Sequence, residues 1–318
     1  MLAEGASHDA GSGGRAEWVA YDERGTMTML RVMSFISLRL GRPIGRLVLY
    51  GIAAYFVLFA PTVRRHMRRY LRRALRREPT ALDRYRLLLS FSSTIHDRLY
   101  LINGRFELFD IGLDGSELVA ARYRRGQGAV LMGAHLGSFA VTRAIGQRQP
   151  GLTVAMAMYQ DNARKINALL TAVNPQLALD IIPLGTVDSM LQIRARLDAG
   201  VFVGVLGDRS FGPERYERVE FLGAPAWFPT SAMRAAAMLR QPVIFMAGLY
   251  RGGNRYQVVF EELADFSGTT AGERERAVRA AIHGFAAVLE RYCRSDPFNW
   301  FNFFDFWREP ESAATRVA

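Results

Sequence analysis

From about residue 128 onward the chain alternates short apolar runs with segments of helical periodicity, and this rhythm limits the folds open to it. Runs at Ala129–Met132, Thr153–Met158, Ile181–Leu184, Val201–Leu206, Val243–Leu249 and Tyr256–Phe260 have strand length. Segments near 138–147, 162–173, 187–199, 231–240 and 271–293 read as helices. Nearly uninterrupted apolar strands suit positions buried on both faces, as in a parallel or mixed sheet covered by helices. The expected fold is therefore α/β, with a mixed central sheet wrapped by helices. A chain of 318 residues can bury such a core as one domain or two small ones. Its single cysteine, Cys293, rules out a disulfide framework and a cysteine-rich zinc site.

The region before the alternation has a different character. Residues 1–26 open with small polar residues and are expected to be a disordered tail. Residues 27–80 are expected to be a helical, membrane-anchoring segment. Within it, LVLYGIAAYFVLFA at Leu47–Ala60 carries no charge. As a helix it spans roughly 21 Å, short of a hydrocarbon core of about 30 Å. A buried core helix, a half-inserted anchor and the middle of a tilted span all fit it. RRHMRRYLRRALRR at Arg64–Arg77 follows, with four arginine pairs around one apolar stripe. These eight arginines account for most of the formal net charge of +11. An apolar helix beside an arginine-rich one fits an anionic membrane surface better than nucleic acid. Residues 81–308 are expected to form the α/β domain, and 309–318 a C-terminal tail.

Most common catalytic signatures are missing. The chain has no phosphate-binding G-x-x-x-x-G-K-[ST] loop and no G-x-S-x-G elbow, and its five histidines show no metal-ligand spacing. No metal and no cofactor are expected. Two places remain, each at the end of an apolar run, where open α/β sheets bind ligands. In LMGAHLGSF, His135 is a candidate base, Gly137 permits a tight turn, and Ser138 can start a helix whose N–H groups would face an anion. In VGVLGDRSFG, Asp208 and Arg209 follow the strand; Arg209 suits an anionic substrate, and Asp208 suits a role positioning Arg209 or the loop.

Gly133-Ala134-His135-Leu136-Gly137-Ser138-Phe139 resembles the histidine block of lysophospholipid-type acyltransferases. The chain is most similar to bacterial lipid A late acyltransferases and their relatives in aryl-polyene and xanthomonadin-type clusters. The likeness extends through Trp18…Glu23-Arg24-Gly25, segment 47–77, IIPLG at 181–185, Gly207-Asp208-Arg209, FLGAPAWFP at 221–229, Gln241-Pro242-Val243 and NWFNFFDFW at 299–307. It implies a membrane-associated enzyme at the cytoplasmic face of the cell inner membrane. Such an enzyme moves an acyl chain from acyl carrier protein or acyl-CoA to a lipid or glycolipid hydroxyl. It also implies that His135 is the general base, with an orienting carboxylate five residues on. That position is Ala140. Three readings follow: Asp161 or Asp208 replaces the acid, the chain is a catalytically dead relative that binds lipid or acyl carrier protein, or the alanine was introduced.

Overall fold

A computed structural model describes residues 41–144, 146, 151–159, 180–185, 187–209 and 215–310. Its centre is a seven-stranded mixed sheet. The strands are β1 (Asp110–Asp114), β2 (Val130–Gly133), β3 (Val154–Tyr159), β4 (Ile181–Leu184), β5 (Phe202–Leu206), β8 (Pro242–Tyr250) and β9 (Arg255–Asp265). They lie in the order β1-β9-β8-β2-β5-β3-β4. Only β8 and β9 pair antiparallel; every other neighbour is parallel. The expected mixed α/β sheet is present.

Strand alternation divides the core in two. Val130, Met132, Phe245 and Ala247 join one apolar cluster, while Leu131, Ile244 and Met246 join the other. The first is covered by α5 (Val187–Asp198), α6 (Ser231–Met238) and α7 (Arg274–Ser295). The second is covered by α3 (Ala81–Ile102) and α4 (Ser116–Arg124). The α3 helix starts at a capping box between Thr80 and Asp83.

A separate hairpin of β6 (Tyr216–Phe221) and β7 (Ala224–Pro229) packs beside α7. Its two-residue turn places Leu222 at φ 52° and Gly223 at φ 73°, as a type I′ turn requires. Leucine rarely takes this conformation. Here its side chain is buried and its N–H donates to Glu290 at 2.6 Å.

Two helices precede α3. The first, α1 (Arg42–Phe59), is longer than the apolar run alone suggested and reaches about 27 Å. It is long and apolar enough to cross a membrane. Leu49 and Ala53 face inward, whereas Leu47, Tyr55, Leu58 and Phe59 are exposed. Its N-terminal end is clamped by Asp97 of α3, which accepts two hydrogen bonds from Arg42 at 2.8 and 2.9 Å and one from Tyr256 at 2.9 Å. Arg46 lies 3.9 Å from the same carboxylate. The second helix, α2 (Pro61–Leu75), buries Met67, Tyr70, Leu71 and Ala74 in the protein core. It therefore turns arginines, not its apolar stripe, outward. Two of them serve the fold: Arg69 pairs with Asp305, and Arg73 lies over the Trp307 ring at 4.9 Å.

Candidate active site

The site is built where β2 and β5 end side by side. Their parallel register sets Gly133 opposite Leu206, and Gly207 N–H donates to the Gly133 carbonyl at 2.9 Å. Two residues further along each chain, His135 and Asp208 meet. The Asp208 carboxylate lies 2.9 Å from His135 Nδ1 and accepts the His135 backbone N–H at 3.1 Å. The indole N–H of Trp300 donates to it at 3.2 Å. The Asp208 side chain is fully buried, while that of His135 keeps 30% exposure. Nε2 is left without a protein hydrogen bond among the described residues.

The loop carrying His135 is stitched to the C-terminal segment. Gly137 N–H donates to Asn299 O, and Phe301 N–H donates to His135 O. Ser138 N–H donates to Gly248 O at 2.7 Å. Gly137 has φ 69°, and a Cβ there would lie 2.0 Å from the Gly248 carbonyl oxygen. Glycine is required for this close approach. The amides of Gly137 and Ser138 are thus committed to the protein. Residues 139–144 form a short 3₁₀ helix instead of the expected α-helix, so the anion-binding helix start foreseen at Ser138 is not formed. The Ser138 hydroxyl is buried without a hydrogen-bond partner among the described residues.

Ala140 lies in this 3₁₀ helix, 7% exposed, and belongs to the second apolar cluster with Leu131, Met246 and Tyr100. The carboxylate on the imidazole comes from Asp208, which the sequence had offered both as a support for Arg209 or the loop and, with Asp161, as a replacement for the missing acid. Asp208 does lie 3.9 Å from Arg209, but its closest partner is His135. Asp161 falls outside the described residues. Arg209 is nearly buried: it donates to Phe301 O at 2.6 Å, and its guanidinium lies over the Phe304 ring at 4.7 Å.

The electrostatics favour a neutral imidazole beside an ionised carboxylate. Burial lowers the His135 pKa, Arg209 lowers it further, and Arg98 adds to this; Asp208 opposes them without prevailing. Burial acts to raise the Asp208 pKa. The His135 ring and amide together with Arg209 outweigh it and hold the carboxyl well below its usual range. An ionised Asp208 accepts from Nδ1–H, which leaves the Nε2 lone pair to take a proton.

An apolar cavity of about 230 Å³ runs along β2 and β5 beneath α5 and α6 and reaches the dyad's end of the sheet at Leu206 and Arg209, which flank Asp208 in the chain; His135 and Asp208 do not line it. Val130, Val203, Met190, Ile193, Ala236 and Leu239 line it, and Arg209 also borders it. A neutral histidine held by a buried carboxylate, at the same sheet end that an apolar cavity reaches through Arg209, suits deprotonation of an alcohol near a hydrocarbon chain.

The family model for the bacterial lipid A biosynthesis acyltransferases matches residues 32–309. The chain belongs to that family. The chain finds no match among the curated proteins with which it was compared. The family is membrane-associated and acts in lipid biosynthesis, in keeping with the apolar helix α1. Trp300, in an aromatic run that the sequence suggested as core or membrane-facing wall, is core, and its indole also holds the dyad's carboxylate. No local pattern in the sequence reveals that second role.

Proposed function

We propose that this chain transfers an acyl group from a thioester of acyl carrier protein or coenzyme A to a lipid or glycolipid hydroxyl at the cytoplasmic face of the inner membrane, with His135 as base and Asp208 as its orienting acid. The 2.9 Å contact between His135 Nδ1 and the buried Asp208 carboxylate carries this reading. Nε2 accepts the hydroxyl proton as the oxygen attacks the thioester carbonyl carbon. The C–S bond then breaks, and the imidazolium returns the proton to the departing thiolate. Asp208 fixes the tautomer and stabilises the imidazolium between these steps. The cavity beside Arg209 receives the acyl chain.

In this arrangement the absence of a carboxylate at position 140 does not leave His135 unsupported. Transfer of a labelled acyl group from its carrier-protein thioester to a membrane lipid extract tests the reading. The wild-type chain should form acylated lipid and His135→Ala should form none. Equal product from both would remove His135 as base. Lipid and carrier binding with no product from the wild type would make the chain a non-catalytic binder.

A further inference from the structure

Acyl transfer needs a partner that the dyad does not supply. When the acceptor oxygen bonds to the thioester carbon, the carbonyl π pair moves onto the carbonyl oxygen. This oxyanion must be stabilised until the pair returns and the C–S bond breaks. The amides around the base are engaged elsewhere. His135 N–H donates to Asp208 at 3.1 Å, and the N–H groups of Gly137 and Ser138 donate to Asn299 O and Gly248 O, at 2.7 Å each. Arg209 is placed differently. Its Nε lies 3.9 Å from the Asp208 carboxylate that holds the imidazole, and its side chain lines the apolar cavity with Leu206. It is the residue at which the cavity meets the dyad's end of the sheet.

The guanidinium is fixed before any substrate arrives. Nη2 donates to Phe301 O at 2.6 Å, the guanidinium lies over the Phe304 ring at 4.7 Å, and the side chain keeps 13% exposure. Phe301 in turn donates its N–H to the His135 carbonyl at 2.8 Å, so base and cation share one support. A rigid, largely desolvated cation acts most strongly on charge that develops during the reaction. A carbonyl enters an apolar cavity neutral and becomes anionic only there, whereas a phosphate would have to shed its water first. We propose that Arg209 is a catalytic residue that holds the thioester carbonyl oxygen and stabilises the oxyanion formed on it, and not the receptor of a charged substituent of the substrate. The proposal rests on the acyl-transfer reading. In the step, the acceptor proton passes to His135 Nε2 as the new C–O bond forms, and the displaced pair rests on the oxygen facing Arg209. Its return expels the thiolate, which takes the proton from the imidazolium.

Kinetics on the pH plateau, where His135 is neutral in every variant, test the step. Arg209→Met should lower kcat on the order of 10²–10³-fold, as for loss of an oxyanion donor elsewhere, with KM for the acyl donor nearly unchanged. Arg209→Lys keeps the charge without the planar fork and should fall between. A raised KM at unchanged kcat would make Arg209 a ground-state binder and overturn the proposal. Binding without turnover tests the placement. A decyl trifluoromethyl ketone, whose hydrate imitates the tetrahedral adduct, and decyl methyl ketone are titrated calorimetrically into the full-length protein in neutral detergent. The wild type should favour the first about a hundredfold, the lower range for transition-state analogues, and Arg209→Met should lose most of that preference. An equal preference in both proteins overturns the proposal. Because Arg209 also braces Phe301, cooperative unfolding of each variant is verified first; where Arg209→Met fails it, Arg209→Lys carries both comparisons. Transfer that is equally fast in the wild type and Arg209→Met would overturn the proposal alone. No transfer by the wild type, with the fluorinated ketone still held through Arg209, would fell the acyl-transfer reading and the oxyanion role with it.

Discussion

At the scale of single residues, the state of His135 governs the chemistry. Its pKa is displaced below the ordinary 6.5 by burial and by the Arg209 charge. A general base must be neutral, so kcat/KM should rise with pH through a limb centred below 6.5 and then level off. Arg209→Ala removes a lowering influence and should move that limb upward. Asp208→Asn removes a raising influence and should move it downward, while kcat falls on the order of 10³–10⁴-fold, as for loss of an orienting acid elsewhere. A limb unmoved in both variants would detach the rate from His135. Ala140→Glu should bring no gain, because Nδ1 is already occupied and the new carboxylate would enter an apolar cluster. It should instead cost about 3–5 kcal/mol in denaturant unfolding, the range for an uncompensated buried charge.

At the scale of elements, the C-terminal segment behaves as a short extra strand. Leu136 bridges to Trp300, and the Asn299 side chain closes two hydrogen bonds with the backbone of Tyr250. Trp300 packs edge-on against Tyr70, Phe221 and Phe306 while its N–H reaches Asp208. Trp300→Phe keeps the aromatic packing and deletes one donor to a buried carboxylate. It should cost about 1.5–3 kcal/mol in thermal or denaturant unfolding and lower kcat severalfold at unchanged KM. An intact kcat would confine Trp300 to the core.

The same elements show what the sequence could and could not reveal. Strands β2, β5 and β8 were legible because burial on both faces makes them continuous apolar runs. The edge strand β1, DIGLD, is half-exposed and carries no such run. The β6–β7 hairpin was hidden because its turn uses leucine where asparagine or glycine is usual. Helix α3 carries the Asp97 clamp, but its polar residues interrupt the apolar periodicity. The His135–Asp208 pair depends on the register of two strands, which no local spacing encodes.

At the scale of the whole molecule, α1 is held at one end and bare at the other. Asp97 fixes Arg42, whereas Leu58 and Phe59 project into solvent. Burying two such side chains in lipid contributes roughly 3–6 kcal/mol, at 1.5–3 kcal/mol each. Leu58→Asp combined with Phe59→Asp should therefore release the folded protein from vesicles containing anionic lipid in a flotation assay. The outward arginines of α2 make the remaining binding salt-sensitive. Complete flotation of the double variant at high salt would place the membrane contact elsewhere.

The dyad spans 73 residues of sequence. An acid placed five residues after its histidine is tied to that loop's length, and a single inserted or deleted residue breaks the pair. An acid delivered by a neighbouring strand answers only to strand register. Connections between β2 and β5 can lengthen or shorten without moving either partner, whereas a one-residue slip of β5 would turn its side chains to the opposite face. The arrangement exchanges sensitivity to loop length for sensitivity to register. Variation in this protein should accordingly be tolerated as insertions between the strands and punished as shifts within them.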